Sequence, residues 1–202
     1  HPVVRTGYQR LLEQAGDISV VAQADRVDLA YAEFVAHTPD VTVTDLSMPG
    51  SGGLELIRRI LARDASARVL VFSMHDSALL VRRAFDAGAR GFLSKSSAPE
   101  KLIEAVRAVH LGQRYLSDDL SPALLERDAR YEASQLDSLT AREFEIFRLL
   151  AQGHSLNECA DTLNLSPKTV SNYQTLIKEK LGVSTSAALV HLAIRNGVIS
   201  SA

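Results

Sequence analysis

Through its first 116 residues the sequence alternates between two hydrophobic rhythms, helix-like apolar stripes and short β-branched runs, with Gly and Pro between them. The stripes predict helices over 2–14, 28–37, 54–63, 76–87 and 98–111, and the runs predict strands over 18–24, 41–45, 68–73 and 91–94. An alternation this strict requires right-handed crossovers. The expected fold class is therefore α/β, a doubly wound parallel sheet with helices on both faces.

One strand ends in a way that suggests chemistry. In Val41-Thr42-Val43-Thr44-Asp45 the β-formers lead to a lone carboxylate, and Pro49, Gly50, Gly52 and Gly53 stop the strand behind it. Ligands of open α/β sheets bind at the carboxyl ends of the strands. Ser73 and Lys95 are expected at two other such ends. Taken singly, each has an ordinary reading: Asp as turn former, Ser bonded to its own backbone, Lys as solvated charge. Three at neighbouring strand ends favour a shared site.

From residue 117 the composition changes. Acidic residues dominate 117–137, which reads as a linker, and beyond it the strand pattern disappears. Thr140-Ala-Arg-Glu143 and Ser155-Leu-Asn-Glu158 are capping boxes, and Ser166-Pro167 supplies an N-cap followed by a proline suited to the first helical turn. Helices are expected to begin at each, the third running over 168–181 and a last one over 185–195. The result is a small all-α, four-helix unit containing a helix-turn-helix. Three regions follow: 1–116, a linker at 117–137, and 138–202. The single Cys159 lies among apolar helix positions and reads as core, which excludes a thiolate metal cluster and an internal disulfide. The net charge of −2 favours no class of partner, and no apolar run reaches membrane-spanning length, so a cytoplasmic protein is expected.

Both halves resemble response regulators of the NarL/FixJ type, in which a flavodoxin-like receiver precedes a LuxR-type DNA-binding domain. The C-terminal likeness rests on Leu139-Thr140-Ala141-Arg142-Glu143, Leu149-Leu150-Ala151-Gln152-Gly153, Leu165-Ser166-Pro167-Lys168-Thr169-Val170 and Lys180-Leu181-Gly182-Val183. The N-terminal likeness rests on Asp45 with Met48-Pro49, on Ser73 and on Lys95. The resemblance implies that Asp45 accepts a phosphoryl group from a sensor histidine kinase. It further implies that Lys95 pairs with the phosphoryl oxygens, that the Ser73 hydroxyl turns toward them, and that Phe92 is the aromatic switch residue. A protein of this kind is a two-component transcription factor and not an enzyme. An aspartyl-phosphate phosphatase would need a second Asp where Ser47 stands.

Family members open with a strand ending in two acidic residues, then a His-Pro step, whereas this sequence opens at His1-Pro2. That strand and its acids are expected upstream in the natural protein. Mg²⁺ would need them, because Asp45 and the Ser47 carbonyl are the protein ligands that remain. The alternative reading is a DNA-binding regulator with a degenerate, phosphorylation-independent receiver.

In a helix-turn-helix the second helix enters the major groove. Here it offers Lys168, Thr169, Ser171, Asn172, Gln174, Thr175 and Lys178. By resemblance Ser171, Asn172 and Thr175 face bases, while Lys168, Thr169 and Lys178 suit phosphate. Charges from residue 138 onward nearly balance, so a monomer should bind DNA weakly. A homodimer on two half-sites is expected, with Ala188, Leu189 and Leu192 of the last helix as its contact, a stripe that could equally be core.

Overall fold

The computed structural model describes residues 2–50, 52–118, 120 and 135–199. In the first unit α1 (Pro2–Glu13) and α2 (Val27–His37) precede β1 (Thr42–Thr44), α3 (Gly53–Arg63), β2 (Val69–Ser73) and α4 (Ala78–Asp86). β3 (Gly91–Ser94), α5 (Glu100–His110) and β4 (Tyr115–Leu116) complete it. The four strands lie in the order β1-β2-β3-β4, all parallel, with Thr44 opposite Val71 and Ser73 opposite Ser94. Every residue of β2 and β3 is buried, which is the pattern of a parallel sheet covered on both faces.

The two faces hold different cores. Leu12 of α1 and Leu102, Ala105 and Val109 of α5 pack with Leu70, Phe72 and Leu93 on one side. On the other, Val27 and Phe34 of α2, Leu56, Ile57 and Ile60 of α3 and Leu80 and Ala84 of α4 pack with Val69, Val71 and Phe92. The doubly wound architecture expected from the sequence is the one observed.

Two strand expectations need correction. Residues 18–24 form no strand; they run as irregular chain whose exposure still alternates, with Ile18, Val20, Ala22 and Ala24 turned partly inward. The alternation is that of a strand, but a strand requires a hydrogen-bonded neighbour, and none pairs with this segment among the described residues. Conversely, β4 pairs Tyr115 with Gly91 and Leu116 with Phe92, a ladder too short to leave a periodicity in the sequence.

The second unit begins with a 3-10 turn (Gln135–Ser138), at the end of the expected linker; most of that linker lies outside the described residues. α6 (Ala141–Ala151), α7 (Leu156–Leu163), α8 (Pro167–Lys180) and α9 (Ser186–Arg195) follow. Both capping boxes form, and Ser166 accepts from the Thr169 amide with Pro167 behind it. Phe144, Phe147, Cys159, Leu163, Val170, Ile177 and Leu189 fill this core. α6 is buried almost all round, its polar Glu145 and Arg148 included, because α7, α8 and α9 pack on it from their side and α3, with Arg83 of α4, meets it from the other.

Candidate functional site

Asp45 follows directly on β1, where the pleat ends and the glycine-rich turn begins. Its Oδ1 accepts from the Ser47 amide at 3.0 Å and its Oδ2 accepts from Lys95 Nζ at 2.6 Å. The side chains of Lys95 and Asp45 are 20% and 28% exposed, so the pair is shielded yet open to a small reactant. Gly53 sets this turn: a Cβ there would lie 2.1 Å from the Asp45 carbonyl oxygen, so only glycine allows α3 to start so close.

Ser73 ends β2 and Lys95 follows β3, and the Lys95 amide donates to the Ser73 carbonyl at 2.8 Å. The sheet register thus brings the strand-end residues together, as the sequence predicts. The Ser73 hydroxyl is buried and accepts from the His75 amide at 3.1 Å, which ties it to the loop that follows β2. Phe92 lies wholly inside the core.

Sequence reasoning missed the next ring of residues. Ser94 donates from its hydroxyl to Asp76 Oδ2 at 2.9 Å, tying the end of β3 to the loop after β2. His75, half-buried between the units, has its imidazole pKa lowered, first by burial and then by the Arg148 guanidinium of α6, against the opposing pull of Asp45, Asp76 and Glu145. No local sequence signal marks this contact, because its partners are some 70 positions apart.

As a cation site the arrangement is short of donors. Asp45 offers one carboxylate whose oxygens already accept from Ser47 and Lys95, and among the described residues no group of three His, Cys, Asp or Glu side chains converges. Asp45 and Ser47 alone do not make a divalent cation site, which takes one or two carboxylates with several further oxygens.

The helix-turn-helix presents a separate surface. Lys168, Asn172 and Thr175 are exposed and lie on one face of α8 by their spacing, while Ser171, Gln174 and Lys178 are half-buried. Thr169 differs, since its hydroxyl shares a 2.8 Å hydrogen bond with the Ser166 cap. Val170 and Ile177 point inward with Tyr173 packed behind them. On α9 the apolar stripe divides: Leu189 and Leu192 are buried with α6, whereas Ala188 is half-buried and His191 and Ile194 are exposed. The last two border a groove of about 610 Å³ with Leu181 and Val183.

Residues 1–107 match the response regulator receiver domain, and residues 137–193 match the bacterial regulatory proteins of the luxR family. The chain is 36% identical over 203 residues to the response regulator UvrY of Escherichia coli K12, covering all of this chain and 93% of that protein. To the transcriptional activator protein ExaE of Pseudomonas putida it is 41% identical over 202 residues, covering 98% and 94%. Among solved structures, RcsB from Salmonella enterica serovar Typhimurium, bound to promoter rprA with the phosphomimetic BeF3−, superposes with a TM-score of 0.67 at 29% identity, covering 95% of this chain and 93% of that one. Among the described residues no helix is long and apolar enough to cross a membrane.

Proposed function

The chain belongs to the response regulators that join a receiver to a LuxR-type DNA-binding domain, and from that premise we propose that Asp45 is its phosphoacceptor and α8 its DNA-reading helix. It is a transcription factor whose DNA binding is controlled by phosphorylation. The observation that carries the assignment to Asp45 is the 2.6 Å contact from Lys95 Nζ, at the end of one strand, to a carboxylate at the end of another. A phosphoryl group on Asp45 adds roughly two negative charges beside that ammonium. Lys95 then follows the new oxygens, and Ser73 gives up the His75 amide to donate its hydroxyl to them.

The kinase partner is a sensor histidine kinase, in keeping with the family. Mg²⁺ assists phosphorylation in receivers generally, and Asp45 and the Ser47 carbonyl would contribute to such a site. The intact pairing of Lys95 with Asp45 argues against the degenerate receiver. The boundaries 1–116, 117–137 and 138–202 describe the working parts, with Lys168, Asn172 and Thr175 foremost in the DNA contact.

Three of the cations in the second unit are already engaged: Arg142 with the Leu163 carbonyl, Arg148 with Glu145 and Lys180 with Glu143. Few remain for phosphate, so a homodimer on paired half-sites supplies the affinity. Its contact is the exposed side of α9, Ala188 with His191 and Ile194, while Leu189 and Leu192 support it from within. Action on DNA places the protein in the cytoplasm. The test is acetyl phosphate treatment of the complete natural chain: phosphorylation-dependent dimerisation and operator binding are expected, and Asp45→Asn abolishes both. An Asp45→Asn protein that responds as the wild type does would overturn the assignment.

A further inference from the structure

Two arginines stand side by side at the end of the sheet opposite Asp45. Gly91 of β3 pairs with Tyr115 of β4, and the Tyr115 amide donates to the Arg90 carbonyl at 3.1 Å, so Arg90 and Arg114 are neighbours just before the two strands. Alternation along the strands places Arg90 on the face of Phe92 and Arg114 on the face of Leu116, the side of the sheet covered by α3 and α4. Like charges directly opposite one another on a sheet destabilise it. Neither guanidinium has a carboxylate partner among the described residues to offset that cost. Asp64, behind α3, is held instead by the Ser66 amide and hydroxyl at 2.9 and 2.6 Å, and Asp86 of α4 pairs with neither arginine.

Both arginines line one surface cavity of about 460 Å³, together with Leu61, Phe85 and Gly88. The Arg114 guanidinium lies over the Phe85 ring, 4.4 Å from its centre, so one of its planes is covered and its position is held. The side chain is otherwise exposed, which leaves its outer plane open. Leu61 fills the space that a Cβ on Gly88 would take, and gives the cavity an apolar wall.

A guanidinium fork takes phosphate in a bidentate manner, and a guanidinium plane stacks on a nucleic acid base. The cavity has the volume of a small-molecule site. We propose that Arg90 and Arg114 form a nucleotide-binding site, with phosphate held by Arg90 and the base stacked on the outer plane of Arg114 against the Leu61 wall. A bound phosphate also supplies the negative charge that the two arginines lack. A single strand of nucleic acid carries the same groups, but a strand follows an extended cationic groove, whereas these two arginines mark one phosphate position. The site is independent of the reading of Asp45 as phosphoacceptor.

The experiment is calorimetric titration of the complete, unphosphorylated natural chain at low salt, with EDTA present so that no metal-bound nucleotide collects at Asp45. The probes are ATP, adenosine, pyrophosphate and a single-stranded oligonucleotide. ATP is expected to bind more tightly than adenosine or pyrophosphate, and Arg90→Ala and Arg114→Ala each to weaken it by about tenfold or more, the cost of losing a charged hydrogen-bond partner. Arg68 precedes β2 on the opposite face, that of Leu70, and is the control: Arg68→Ala removes the same charge and should leave ATP binding unchanged. Arg90→Glu replaces the repulsion with Arg114 by attraction, so it should abolish ATP binding while raising the melting temperature, which separates a lost site from a lost fold. ATP binding that survives Arg90→Ala and Arg114→Ala, or that Arg68→Ala weakens as much, overturns the site. Pyrophosphate that binds as tightly as ATP, or an oligonucleotide that binds more tightly than ATP and is weakened by Arg90→Ala, overturns the assignment to a nucleotide.

Discussion

Lys180, the last residue of α8, sets its ammonium against both oxygens of Glu143, at 2.7 and 2.8 Å. The same carboxylate accepts from the Thr140 amide at 2.8 Å, so one buried side chain caps α6 and fastens the DNA-reading helix to it. Glu143→Gln keeps the shape and loses the charge. It should lower the stability of the second unit by about 1–3 kcal/mol, the usual range for removing one partner of a buried charged hydrogen bond. Urea unfolding of Glu143→Gln, Lys180→Met and the double variant measures this. The double variant should cost less than the two singles added, because they remove the same interaction.

Acid should loosen this unit at a defined pH. Burial pushes the Glu143 carboxyl up, but the bonds from Lys180 and Thr140 outweigh it, and the group titrates below the ordinary 4.5. Glu158 is also lowered, by the Ser155 amide and hydroxyl of its own capping box. Both carboxyls bind protons less readily folded than unfolded. Their contribution is complete above the ordinary value and is lost as the pH falls through the folded values. Thermal melts should hold steady from these groups between pH 6 and 8 and fall below about 4.5, with the fall shallower in Glu143→Gln. An acid limb identical in the two proteins would remove Glu143 from this account.

The turn behind Asp45 should tolerate nothing larger than glycine at its end. A Cβ on Gly53 would stand 2.1 Å from the Asp45 carbonyl oxygen and 2.8 Å from Leu46 Cα, both backbone atoms that cannot swing aside. Gly53→Ala is expected to cost about 1–3 kcal/mol, the range for overpacking, and to slow phosphorylation by shifting Asp45 away from Lys95. Gly7, inside α1 with nothing within 4 Å of a Cβ, is the control. Gly7→Ala should stabilise by about 0.5–1 kcal/mol through helix propensity and leave phosphorylation unchanged. Melting temperatures and acetyl phosphate labelling of the two variants decide between them.

What the sequence revealed and what it hid divide along a physical line. Local signals carried far: the capping boxes at Thr140 and Ser155, the Ser166-Pro167 start of α8 and the break after Asp45 all depend on neighbours within a few residues. The meeting of Asp45 with Lys95 was legible because a parallel sheet places its strand ends together. Residues 18–24 misled because alternation describes a surface and a strand needs a partner. The contact between the receiver and the second unit was hidden for a different reason. Arg83 and Phe144 carry no mark of one another, and Glu145 and Arg148 resemble an ordinary exposed i, i+3 pair until the receiver is found covering them. The stripe on α9 could serve as contact or as core, and it divides, with Leu189 and Leu192 in the core and Ala188 half-buried.

The reading face of α8 should divide into a residue that holds the backbone and one that reads a base. Lys168 stands exposed at the start of the helix, where amide groups and the helix dipole also favour a phosphate. Asn172 lies one turn further along the same face, exposed, with the amide chemistry that pairs with adenine in the major groove. Lys168→Ala should weaken binding to all sequences alike and reduce the slope of log K against log salt by about 1. Asn172→Ala should cost about 1–3 kcal/mol on the preferred operator, relax the choice of base at one position per half-site, and leave the salt slope unchanged. Thr175 donates its hydroxyl to the Ser171 carbonyl at 3.2 Å, so its replacement should alter discrimination less. Fluorescence anisotropy with the phosphorylated dimer, on operator and scrambled duplexes across a salt series, separates these effects. A salt slope altered by Asn172→Ala and untouched by Lys168→Ala would exchange the two roles.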